Sequence, residues 1–218
     1  MSAALAVMEK DLRLAWRDRA GWLTAVSFAA ISMLVYSFAF DLAARDVRPL
    51  LPGLLWVTFL FAGIISSGSS FQNEGERGTL DAQLLAPVAR TALYMGKLLA
   101  NLLALFVVEL ATLGLASILF NESLLTLEIG GIVLLGTIGY VSLVTTLATL
   151  GSRVRARGVL MPVLALPLLV PLLIAAVRAT SGALGEPTGD APWLLLLTVF
   201  TVWATGGSAL LFPLAVER

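Results

Sequence analysis

The sequence predicts an all-α integral membrane protein with six transmembrane helices, and three observations carry that expectation. Apolar runs of bilayer length recur six times, at about 22–40, 51–71, 98–120, 129–150, 159–178 and 192–215. Only 13% of the 218 residues are charged, about half the share of a soluble domain. The runs also lack the period-two alternation of lipid-facing barrel strands, which leaves the helix as the way to satisfy backbone polar groups in lipid. A spanning helix needs about 20 apolar residues. The shortest run, Trp22–Phe40, rises about 28 Å as a helix, close to the hydrocarbon thickness.

The N-terminal stretch 1–21 precedes these runs and differs from them. Leu5, Met8, Leu12 and Ala15/Trp16 fall on one helical face, while Lys10, Arg13 and Arg17 lie elsewhere. That pattern suits a helix in the membrane interface, and a cytosolic tail of helical propensity is the other reading. A cleaved signal peptide does not fit a long, charged and amphipathic lead followed by so long an apolar run. With the N-terminus inside, only Arg45, Arg48 and Arg178 of the 14 lysines and arginines fall outside. The excess of positive charge therefore predicts both termini in the cytoplasm.

The remaining connections follow from this threading. The outer loops, 41–50, 121–128 and 179–191, are short, and the last, with SGALGEPTGDAP, reads as turns. The region between the second and third runs, 72–97, is the large inner connection. Nothing in the chain is long enough and polar enough to form a separate soluble domain, so 1–218 reads as one transmembrane domain.

Composition excludes several kinds of chemistry. The net charge is zero, which removes a general case for nucleic-acid binding. There is no cysteine and no histidine. Disulfides, thiolate metal sites and the commonest metal ligand and general base are therefore absent together. No GxxxxGK[ST] phosphate loop is present, so nucleotide hydrolysis by that route must come from elsewhere. An intramembrane enzyme is disfavoured on the same grounds, and a non-transport scaffold remains a further class.

One stretch is distinct from the rest. Phe71–Lys97 gathers Glu74, Glu76, Arg77, Asp81, Arg90 and Lys97 between two apolar runs. Within it, Thr79–Ala86 fits a short helix entered through Gly78 and closed at Pro87. Leu80, Leu84 and Leu85 share one face, with Asp81 and Gln83 off it. Thr79 is a suitable N-cap, and acidic residues just upstream suit the positive end of the helix dipole. Such a helix docks in a partner's groove, or its leucines rest on lipid; physical chemistry alone leaves both open.

Other residues carry weaker signals. Glu109 is the one ionisable residue well inside a predicted span, and such a carboxyl is a candidate functional site because it is costly to bury. It lines a transport path or takes a proton, or else it is a protonated acid bonded to a neighbouring helix or set at an interface. No basic partner is evident in the sequence. Pro162, Pro167 and Pro171 predict either a broken, re-entrant segment or a curved, packed helix. The glycines of 131–139 and the serines 66, 67, 69 and 70 suit close helix contact better than a polar path. Arg153, Arg155 and Arg157 suit headgroup anchors.

EGERGTLDAQLLAPVAR followed by GK resembles the E-x-x-x-G-x-L-x-x-L-L-x-x-P pattern of exporter-type (ABC-2-like) permeases. The run RPLLPGLLWVTFLFAGIIS, the run LPLLVPLLI and the bare six-helix length narrow that resemblance to the CcmB family of haem exporters in cytochrome c maturation. Gln72–Asn73 stand where the pattern is more acidic, and Ala82 stands where it carries Glu. The resemblance implies a permease subunit of the bacterial inner membrane with no ATPase site of its own. It further implies a partner ATPase, CcmA, holding ATP and Mg, together with CcmC, CcmD and the haem chaperone CcmE, and two permease copies per complex. Glu74, Glu76, Arg77, Gly78, Thr79, Leu80, Leu84, Leu85 and Pro87 would then form the ATPase interface, as a cytoplasmic coupling helix and its flanks. Export of a lipid, polysaccharide or drug is the alternative within the same permease group. With neither His nor Cys, the chain has no usual strong axial haem ligand, so haem ligation is expected in other subunits.

Overall fold

In the computed structural model, residues 3–17, 19–40, 47–76, 90–151 and 157–216 are described, and among them every regular element is a helix. In chain order these are α1 (Ala3–Arg17), α2 (Arg19–Ala39), α3 (Leu51–Glu76), α4 (Arg90–Phe120), α5 (Leu127–Gly151), α6 (Arg157–Ala183) and α7 (Trp193–Val216). Five of them, α2, α4, α5, α6 and α7, contain apolar segments long enough to cross a membrane. The described apolar part of α3 is shorter, Leu51–Ser66.

Most helices outrun the apolar runs that predict them. α3 continues to Glu76, α4 begins at Arg90 rather than near 98, and α6 runs on to Ala183. Hydropathy marks where lipid is a good solvent, whereas backbone hydrogen bonding continues wherever Gln, Glu, Lys, Ala and similar residues support a helix. The polar stretch seen as 72–97 is therefore narrower as a connection, because both of its ends are helical. Of the N-terminal stretch expected as one helix over 1–21, Ala3–Arg17 is helical, and the described part of α2 begins at Arg19.

Local signals set several boundaries. Thr126 caps α5, its hydroxyl accepting the Ile129 N–H at 3.2 Å, with Glu128 in the first turn near the positive end of the dipole. α6 closes in a Schellman turn. Gly185 takes φ +81°, the Glu186 N–H donates to the Ser181 carbonyl at 3.0 Å, and the Gly185 N–H donates to Gly182 at 2.9 Å. Pro52 sits in the first turn of α3, where no intrahelical donor is lost. α6 is continuous through Pro162, Pro167 and Pro171. The broken or re-entrant alternative is thus overturned in favour of an unbroken helix, and the Pro167 and Pro171 side chains lie on its exposed side.

α5 is the centre of the bundle, packed against α4, α6 and α7 and touching α3. α2 lies against α3 and α4, and α1 against α4. The main core includes Trp56, Tyr94, Tyr140, Leu172 and Leu197. Ion pairs fix the two ends. Arg48 Nε lies 2.5 Å from Glu122 Oε1, joining the connections before α3 and after α4. Lys97 Nζ lies 3.7 Å from Asp11 Oδ2 near the other end of α4. This agrees with the predicted threading, in which the loops around 48 and 122 share one side and the N-terminal helix and residue 97 share the other.

Candidate functional site

The intramembrane site grows from two interlocked knobs. Gly136 on α5 leaves a recess filled by the Trp56 ring of α3. In return, Gly63 on α3 leaves one for Tyr140 of α5, whose hydroxyl would stand only 2.6 Å from a Cβ at position 63. Glycine permits this approach because it has no Cβ, the means by which small residues let membrane helices meet closely. Trp56 is fixed further by its indole N–H, which donates to Thr180 Oγ1 of α6 at 2.9 Å, and by an edge-on contact with Phe59 at 5.6 Å. Tyr140 donates to the Leu60 carbonyl at 3.3 Å. The helix-packing reading of the 131–139 glycines holds for Gly136 and for Gly139, which faces Leu172 and Thr201, but Gly131 meets nothing within 4 Å.

Glu109 lies beside this interlock and is 1% exposed. A small cavity next to it is lined by Trp56, Phe59, Leu60, Thr137, Tyr140 and two leucines of α6. Its partner is Thr137 of α5, whose Oγ1 lies 2.6 Å from Glu109 Oε2 and 2.8 Å from the Val133 carbonyl oxygen. A second tie lies eight residues earlier on α4 and eight later on α5, where the Asn101 amide donates to Thr145 at 3.3 Å. Matched offsets in opposite directions are the register of two antiparallel helices. Of the readings open for Glu109, the structure supports the acid bonded to a neighbouring helix. The sequence does not single out Thr137 as the partner, because a hydroxyl in an apolar run gives no signal of its own.

The second region is at the end of α4 that carries Lys97. Lys97 is 3% exposed beneath α1 and faces Asp11, whose other oxygen is 2.8 Å from Lys10. At the same crossing a Cβ on Gly96 would come within 2.6 Å of Val7 Cβ and 2.7 Å of the Ala4 carbonyl. α1 therefore docks on α4 through Ala4, Val7 and Asp11. The face expected at the membrane interface lies beside this one: Leu5 is exposed, and Met8 and Leu12 are partly buried, as Ala4, Val7 and Asp11 are. Charge pairing and the recess at Gly96 set this docking, and neither is visible along α1 itself.

Glu74 and Glu76 fall in the last turns of α3. The expected coupling helix, with Arg77, Gly78, Thr79, Leu80, Leu84, Leu85 and Pro87, lies outside the described residues, as do Arg153 and Arg155. What the structure does place are its two neighbours: α3 leads into that stretch and α4 leads out of it. α4 then carries Gly96 and Lys97 against α1 and Glu109 against α5. No group of three or more metal-ligating side chains occurs among the described residues.

Comparison with known proteins agrees in length and in kind. Three relatives named "Heme exporter protein B" align over most of the chain. The one from Pseudomonas aeruginosa is 30% identical over 210 residues, 91% of each chain. That from Rhodobacter capsulatus is 31% identical over 172 residues, 78% of each. That from Bradyrhizobium diazoefficiens is 28% identical, covering 93% of this chain and 92% of its own. The family described as CcmB protein matches residues 2–217, nearly the whole of a chain built from membrane-length helices, and the chain belongs to that family.

Proposed function

We propose that this chain is the membrane permease subunit of an ABC-type haem exporter serving cytochrome c maturation, driven by a separate ATPase subunit. The match to the CcmB family over residues 2–217 carries the reading, and the relatives' shared name supplies the cargo. In this reading the energy enters from the cytoplasm through the stretch after Glu76. The ATPase subunit, of the CcmA kind, binds ATP and Mg and presses on the amphipathic segment around Leu80, Leu84 and Leu85. Because α3 and α4 flank that segment, they receive the displacement first. α4 passes it to α1 at the Gly96–Lys97 crossing and to α5 at Glu109. Subunits of the CcmC, CcmD and CcmE kinds handle haem alongside it, and the work done is release of the haem-loaded chaperone. Two permease copies complete the assembly, in the bacterial inner membrane with both termini cytoplasmic.

The test is genetic and chemical together. A strain deprived of this chain is expected to lose covalent haem from its c-type cytochromes, read by haem staining after denaturing electrophoresis, and to regain it when the full chain is restored. Normal c-type cytochromes in the deprived strain, with a defect in lipid, polysaccharide or drug export instead, would defeat the proposal.

The division of labour over haem is a further part of this reading. Haem is held most firmly by imidazole or thiolate ligands, and the chain has neither, only five Met and three Tyr. The purified full chain titrated with haem is therefore expected to show no tight low-spin absorption band. A stoichiometric low-spin complex would place a ligand here and overturn the assignment of haem to other subunits.

A further inference from the structure

We infer that Glu109 is a proton-binding site inside the closed bundle, holding one proton as a neutral acid and donating it to Thr137. Hydrogen counting carries the argument. Thr137 Oγ1 has one hydrogen and two oxygens at bonding distance, the Val133 carbonyl at 2.8 Å and Glu109 Oε2 at 2.6 Å. If that hydrogen went to a carboxylate, the hydroxyl oxygen and the Val133 carbonyl would face each other at 2.8 Å with no hydrogen between them. If it goes to Val133, the contact with Glu109 needs a hydrogen from the carboxyl.

Several other buried threonines favour the second arrangement, although Thr201 donates instead to the Leu135 carbonyl of α5. Thr112, Thr146 and Thr180 each donate to the carbonyl four residues earlier, at 2.7, 3.0 and 2.8 Å. Thr180 is the closest parallel, because it does so while accepting a hydrogen from another helix, the Trp56 indole N–H at 2.9 Å. Thr137 has the same geometry, with Glu109 in the place of the indole.

Among the described residues, nothing around Glu109 balances a carboxylate. The cavity beside Glu109 is lined from α3 by Trp56, Phe59 and Leu60, from α5 by Thr137 and Tyr140, and from α6 by leucine. Tyr140 is the one other titratable group there, and its hydrogen is directed to Leu60. α7 contains no ionisable residue. On α2 only Arg19 and Tyr36 are ionisable, and on α6 Arg178 is exposed over the Trp193 ring. Lys97, on α4 itself, is 12 residues away and paired with Asp11, about 18 Å along the helix. An unpaired charge at such a place is far costlier than a neutral, hydrogen-bonded acid.

Infrared spectroscopy of the full chain in lipid nanodiscs at neutral pH tests this. A carbonyl band of a neutral carboxylic acid is expected, lost in Glu109→Gln. It should shift to higher frequency in Thr137→Val, where the carboxyl loses its acceptor, and return in Thr137→Ser. If Glu109→Gln does not fold, the wild-type chain grown with isotope-labelled glutamate gives the same reading, since the neutral-acid band must move with the label. A spectrum showing only carboxylate from glutamate overturns the site, and a neutral-acid band indifferent to Thr137→Val overturns the donation to Thr137.

Discussion

Leu84→Glu is expected to abolish co-purification of the ATPase subunit with this chain and to uncouple ATP turnover, while the helices remain folded. Leu84 lies at the centre of the proposed leucine face, between Leu80 and Pro87 in the sequence. A carboxylate there must be buried without a partner if the groove is to close, and such anchors are worth about 2 kcal/mol or more. That corresponds to roughly a thirtyfold or greater loss of affinity. Gln83→Glu adds the same charge off the leucine face and is expected to leave the complex intact, so the pair separates lost apolar docking from added charge. Pull-down of the ATPase subunit, ATP turnover and circular dichroism are the measurements. Retained co-purification and normal turnover with Leu84→Glu would remove the coupling role from this segment.

Gly136→Leu is expected to destabilise the bundle, because any side chain at 136 enters the space held by the Trp56 ring. Overpacking of a filled core costs about 1–3 kcal/mol. Displacing Trp56 also breaks its hydrogen bond to Thr180, leaving a buried donor to find another acceptor at a cost of about 1–3 kcal/mol. The thermal unfolding midpoint in detergent should fall, with tryptophan emission moving toward that of a wetter environment. Gly130→Leu is the control: it lies on the same helix with nothing within 4 Å of its Cβ. It should cost little, since leucine favours the helix over glycine by under about 1 kcal/mol. Equal effects at the two positions would show that helix propensity, and not the Trp56 recess, governs position 136.

These two positions also mark the limits of reading the chain linearly. Leu84 stands out in the sequence because an amphipathic turn bounded by Gly78 and Pro87 is a local pattern. Gly136 does not, for it is one of several glycines in 131–139, and only the arrival of Trp56 from α3 distinguishes it from Gly131. Glu109 falls between the two cases. Its cost in an apolar run makes it visible, but the group that meets that cost, Thr137, lies on another helix. The N-terminal helix shows the converse. Its leucine stripe is legible, yet the docked face is the one bearing Ala4, Val7 and Asp11, because a recess at Gly96 and a buried Lys97 await it on α4.

By itself the sequence determined that the chain is helical and membrane-spanning, roughly where its apolar segments lie, and that His, Cys and the phosphate loop are absent. Those are matters of local composition against the solvent, and the bilayer reads them residue by residue. Only the tertiary structure decided where the helices extend beyond the apolar runs, which face of α1 docks on α4, that α6 passes unbroken through its prolines, and that Glu109 is tied to Thr137. Each of these depends on shape and on hydrogen-bond partners supplied by other helices, and a partner across the bundle leaves no mark on the residues beside it in sequence.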